Sequence, residues 1–249
     1  MATAVQPSTA TVTSLNDPRI KEKLQKLRQT DNYTNLYYLL RTYLYLALVI
    51  GGTLWFYAVN DWAWWLNAPI TIVSIVLIGA GQHQLTGLSH EASHHILLKN
   101  RTWNDLVSDW FCMYPLFSST QHYRLQHIAH HQFVNDPDRD PDVSQLQTSG
   151  HWLAFPVDKA TFLWTLLKQL WLPNLFRYMR IRAAYNAMPT DKNPYLKKGF
   201  KPNKATVRIG ILYMLALIGT LTWFVAEENV LLLAVVPACM YAVMMMAMA

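Results

Sequence analysis

The sequence predicts an all-α integral membrane protein, with four transmembrane helices and a cytoplasmic helical cap holding a metal site. Three observations carry this reading: long uncharged apolar blocks, a one-sided distribution of basic residues, and histidines gathered in one part of the chain. Hydrophobic residues make up 52% and charged residues 14% of the sequence, an unusual balance for a soluble protein. All nine histidines fall between His83 and His151. The chain reads as one domain over residues 1–249. Residues 1–33 form a cytoplasmic tail and basic helix, 34–81 the first two spans, 82–208 the histidine-bearing cap, and 209–249 the last two spans.

The N-terminus, MATAVQPSTATVTSLNDP, has no apolar core and is no secretory signal; a plastid-type transit peptide stays open, although these eighteen residues carry no arginine. It reads as a disordered tail leading to a basic helix from Asp17 to Gln29. Four uncharged blocks follow: Thr42–Val59, Trp62–Gly81, Ile209–Val225 and Val230–Ala249, of 18, 20, 17 and 20 residues. A bilayer core of roughly 30 Å needs about 20 residues of helix, so each qualifies as a span. Buried helices of a soluble bundle would show polar faces at helical period, and these show none.

All 21 Lys and Arg lie before residue 42 or between residues 99 and 208. The short turns Asn60–Asp61 and Ala226–Asn229 carry acids and no basic residue. The positive-inside rule therefore places both termini and the central segment in the cytoplasm, and a bacterial inner (plasma) membrane is expected. Trp62, Trp64, Trp65 and Trp223 suit an interfacial belt near the outer ends. The net charge of +6 follows from topology and needs no nucleic acid to explain it. Cys112 and Cys239 sit in apolar surroundings on different segments, which argues against a disulfide.

The second span is expected to continue past the membrane as helix through Leu98, since no proline interrupts Ile70 to Leu98. His90 then lies roughly 13 Å beyond Gly81. In GLSHEASHH, His90 and His94 are four apart and share a helical face, with His95 beside them. In HYRLQHIAHH, His127 and His131 are again four apart, and His130 is three from the first. Two helices presenting imidazoles at these spacings can converge on a metal, although imidazole alone does not choose among iron, copper, zinc and nickel. His151 reads as an ordinary polar residue. His83, about 10 Å from His90 along the axis, lines a cavity rather than binding metal, and His122 has a supporting role. Trp152 to Leu172 reads as an interfacial helix.

HEASHH, then HIAHH some thirty residues on, then DPDRDPD resemble the membrane fatty acid desaturase and hydroxylase superfamily. The resemblance covers nearly the whole chain. It implies a mushroom-like helical fold whose cap holds two non-haem irons, with molecular oxygen as co-substrate. Carried over by position, the ligands are His90, His94, His127, His130 and His131, with His95 as a candidate beside them. Neutral imidazoles need partners to fix their tautomers, and Glu91, Asp138 and Asp140 are expected in that role or as turn formers. The implied activity is oxygen-dependent acyl-chain desaturation in fatty acid biosynthesis. The substrate is an acyl-lipid, acyl-CoA or acyl-ACP, and a separate ferredoxin or cytochrome b5-like protein supplies electrons. Two alternatives stay open: a related di-iron lipid or carotenoid hydroxylase or ketolase, and a non-catalytic metal-binding membrane protein. A transporter would place its ionisable ligands within the spans, whereas these boxes lie beyond them. The family also has a third histidine box after the fourth span, and this sequence reaches Ala249 without one. The expectation is a reading frame that continues into that box, and a 249-residue chain inactive alone.

Overall fold

The computed structural model describes residues 17–27, 29–116, 118–150, 152–169, 171, 173–174, 177–178, 180–181, 205–206, 208–213 and 215–216. Every regular element among them is helical. Helix α1 (Pro18–Leu27) is the expected basic segment, and none of its residues is buried. Helices α2 (Thr34–Val59) and α3 (Trp64–Ser93) are both long and apolar enough to cross a membrane. Of the predicted third span, residues 209–213 and 215–216 are described and helical; the fourth, Val230–Ala249, lies outside the described residues.

Helices α2 and α3 form an antiparallel hairpin. Where hydrocarbon replaces water, apolar burial gives no net drive, and packing with interhelical hydrogen bonds holds such a pair. The hydroxyls of Thr53 and Ser74 meet at 2.8 Å in the interior, the Tyr45 hydroxyl donates to the Leu77 carbonyl, and Tyr57 bonds Thr71. Gly81 permits the closest approach: a Cβ there would stand 2.5 Å from Leu46 Cδ2. Leu39, Leu46, Ile78, Leu85 and Leu88 form the buried seam, which runs on into Leu97, Cys112 and Leu116 of the following segment.

The expected helix through Leu98 stops at Ser93. His95 adopts φ +59°, Ile96 N–H bonds the Glu91 carbonyl, and His95 N–H bonds that of Ala92. This is a Schellman ending with histidine where glycine usually stands. The freed N–H groups of Leu97 and Leu98 donate to the Asn104 side chain, 3.0 and 3.2 Å away. Tertiary partners, not a local proline, end the helix.

Helix α4 (Arg101–Ser108), capped by Asn100, widens into a π-helical turn at Asp109–Met113 and closes with a 3₁₀ turn at Tyr114–Leu116. Helix α5 (Thr120–Gln132) starts at the Ser119 cap, and Asp109 accepts the Thr120 N–H at 2.7 Å. Helix α6 (Pro141–Ser149) has Asp140 as N-cap, proline at its first position, and left-handed Gly150 (φ +77°) after its end. The interfacial helix expected over Trp152–Leu172 is shorter. As α7 (Lys159–Gln169) it begins after Pro156, where the Asp158 carboxylate accepts the Thr161 N–H.

Candidate metal centre

Helices α3 and α5 deliver the imidazoles. His90 stands in the last turn of α3, and His94 caps that helix; His127 and His131 lie one turn apart on α5. One ring nitrogen from each of the four lies within 4.8 Å of the other three. His94 Nε2 is 3.0 Å from His127 Nε2, which is 2.9 Å from His131 Nε2. The His90 and His127 rings are 4.5 Å apart, centroid to centroid. Tyr123, one turn before His127, stacks on its ring at 5.2 Å and 11°.

The donor set fits a divalent metal. His127 Nε2 faces two other ring nitrogens and has one lone pair or one proton to offer, so hydrogen bonding alone cannot satisfy all three. Nitrogens each roughly 2.1 Å from a shared ion stand about 3.0–3.4 Å apart, close to the spacing found here. Burial, followed by the imidazoles of His90, His131, His94 and His130, pushes His127 down to about 3. Burial and then His90 and His131 lower His94 as well. Both rings therefore stay neutral at physiological pH, the form a metal requires.

Carboxylates orient two of the rings. Glu91 Oε1 sits 3.0 Å from His90 Nδ1. His130 Nδ1 lies 2.9 and 3.0 Å from the two oxygens of Asp140, and Asp142 Oδ2 is 3.5 Å away. A carboxylate only accepts, so Nδ1 of each ring carries a proton, the tautomer that offers an Nε2 lone pair to a metal. Asp140 is fully buried and also accepts the N–H groups of Asn135 and Asp142.

The remaining sequence candidates lie elsewhere. His130 faces Asp140, not the four-histidine cluster. His95, in its left-handed backbone conformation, places a buried Nδ1 3.8 Å from Asp105 Oδ1. Burial and Arg124 hold that ring neutral, so this is proximity and not an ion pair. His122 is buried with Nδ1 2.5 Å from Ser119 Oγ, which also caps its helix. His83 lies two turns before His90, and its Nδ1 is buried without a hydrogen-bond partner. Asp138 is exposed, and its N–H donates to Asp136. His151 lies outside the described residues. Tyr123 is not among the sequence candidates. Tyr123 is four residues before His127, a spacing that marks it as a neighbour on the same face.

The fatty acid desaturase family profile matches residues 63–249, three-quarters of the chain. The chain belongs to the fatty acid desaturase family. Within it, the chain is 33% identical to dihydrorhizobitoxine desaturase of Bradyrhizobium elkanii over 144 residues, 57% of this chain and 38% of that one. It is 32% identical to the Delta(5) fatty acid desaturase fat-4 of Caenorhabditis elegans over 112 residues, 45% and 24% of the two chains. A Delta(8)-fatty-acid desaturase of Euglena gracilis is 36% identical over 74 residues, 30% and 18% of the two. The chain thus spans well under two thirds of these relatives' length. No solved structure matches it significantly. Desaturase family membership together with α2 and α3 points to a membrane protein.

Proposed function

We propose that this chain forms the metal-bearing part of an oxygen-dependent acyl-chain desaturase. One observation carries the reading: four imidazoles from two helices meet at one point, with no carboxylate among them. His90, His94, His127 and His131 would hold an iron ion, and His130, oriented by Asp140, is the donor available to a second. Bound iron, with oxygen, supplies an oxidant strong enough to take hydrogen from an unactivated methylene, which no side chain can do.

The chain's own residues do the rest. Glu91 and Asp140 hold protons on Nδ1 of His90 and His130 and so keep Nε2 of each available. Tyr123 covers one face of His127 and restricts that ring's rotation. The apolar α2–α3 hairpin below the cluster suits an acyl substrate arriving from the bilayer, whether as acyl-lipid, acyl-CoA or acyl-ACP. Placement of the site on the cytoplasmic side, with four spans, follows from the basic residues and the apolar blocks. Electrons come from a separate ferredoxin or cytochrome b5-like donor.

The test is expression of the gene carrying this chain in a host of known lipid composition, with gas-chromatographic analysis of its fatty acids. New unsaturated acids that disappear in a His127→Ala variant support desaturation. New hydroxy acids in their place would move the assignment to hydroxylation, and an unchanged profile with iron bound would favour a non-catalytic metal protein.

A further inference from the structure

The two histidine-bearing helices need something to hold them in register. Four imidazoles converge with a single carboxylate, Glu91, at their edge, and the His94 and His131 nitrogens both crowd within hydrogen-bond distance of His127 Nε2. In the metal-free chain that arrangement favours separation of α3 from α5. One side chain ties the two helices together next to the centre. Arg124, on α5, sends Nε to the Ser93 carbonyl at 2.8 Å and Nη2 to the Ala92 carbonyl at 2.9 Å, both at the end of α3. Its other edge meets both oxygens of Asp105, at 3.0 and 2.5 Å, from α4. Asn104 completes the joint by donating to the same Ala92 carbonyl and to Asp105.

Three features make this more than a surface ion pair. The Arg124 side chain is only 17% exposed, so water screens it weakly. Burial alone would raise Asp105, yet hydrogen bonds from Arg124 and Asn104 outweigh it and hold the carboxyl below its ordinary range. The guanidinium also sits against the negative end of the α3 dipole and donates to two of the carbonyls in its last turn. The position matters most. Arg124 is three residues before His127 on α5, and its acceptors Ala92 and Ser93 lie between His90 and His94 on α3. The contact is within about one turn, roughly 5 Å along each axis, of ligands on both helices.

We propose that Arg124 is a positioning residue, a clasp that sets the spacing of the two histidine boxes and thereby pre-organises the metal site. The proposal rests on the metal-centre reading above. A planar fork is needed, since two carbonyls and a carboxylate are engaged at once; a lysine ammonium retains the charge but not that geometry.

The experiment is cobalt(II) titration of the detergent-purified chain, followed by its visible absorption, with circular dichroism confirming helicity in every variant. In Arg124→Lys, affinity should fall roughly 10–100-fold, the range typical of residues that orient ligands, and the band should change shape. Arg124→Gln and Asp105→Asn should each weaken binding, and the double variant should be little worse than the weaker binder of the two. If Arg124→Gln does not fold, Arg124→Lys and Asp105→Asn decide. Unchanged affinity and band shape in Arg124→Lys overturn the clasp, even if the melting temperature drops. His127→Ala separates the two readings. Should it bind cobalt like the parent, the metal-centre reading fails and takes the clasp with it; should it lose cobalt while the Arg124 variants bind normally, only the clasp fails.

Discussion

The first and second histidine boxes each carry three imidazoles, and each sends two to a common point and the third elsewhere, for different reasons. In the first box the backbone decides. Helix α3 ends at Ser93, His95 takes φ +59°, and its ring is swung toward Asp105. In the second box the helix never breaks. His127, His130 and His131 all lie inside α5, and periodicity alone separates them: His131 returns to the His127 face, whereas His130 falls about 60° to the other side. There the buried Asp140 carboxylate meets it. A spacing rule therefore reads ligands safely inside a helix and poorly across its end.

The comparison breaks most visibly if the boxes do not share a site. His127→Ala should abolish iron binding by the purified chain, measured by elemental analysis, because His127 Nε2 is the atom that meets both His94 and His131. His95→Gly, by contrast, should leave iron content intact and stabilise the fold by up to about 1 kcal/mol in thermal melting, since glycine adopts the left-handed position without penalty. Loss of iron in His95→Gly would return that ring to the ligand set.

Next in size is the carboxylate behind the second box. Asp140→Ser retains an N-cap for α6 but removes the acceptor of His130 Nδ1. Metal affinity should drop roughly 10–100-fold while the melting temperature changes little. A variant that melts early and binds normally would make Asp140 a capping residue alone.

The pH response involves both boxes, since burial lowers His94 and His95 as well as His127. The folded chain holds His127 at about 3, against 6.5 for an ordinary histidine. Above pH 6.5 the ring is neutral in both folded and unfolded chain. As pH falls from 6.5 toward 3 the unfolded chain takes up a proton that the folded chain resists, so metal-free stability should decline across that window. Melting curves from pH 8 to 4 should show the decline, and His127→Ala should flatten it. An equal slope in that variant would assign the effect to other groups.

The smallest effect is expected from Glu91→Gln. The His90 and Glu91 side chains are 40% and 39% exposed, and the glutamine carbonyl or water can still accept from His90 Nδ1, so affinity should fall less than in Asp140→Ser. A larger loss would reverse the ranking of the two carboxylates.

Much of this was legible in the residues themselves. Length and sparse charge mark α2 and α3 as candidate spans. The spacing of His127 and His131 places them on one face, and Asp140–Pro141 announces the start of α6. These signals are local: helical period and caps depend on atoms a few residues apart. Other features required the tertiary structure. No proline or glycine near Ser93 announces the end of the helix there; the turn at His95 is held by Asn104 and Arg124, side chains from α4 and α5. The meeting of His94 with His127, 33 residues apart, and the choice of Asp140 over its neighbour Asp138 as partner of His130 likewise came from packing between helices. A residue's spacing sets which way it faces along its own helix, but only the contacts between helices set what it faces.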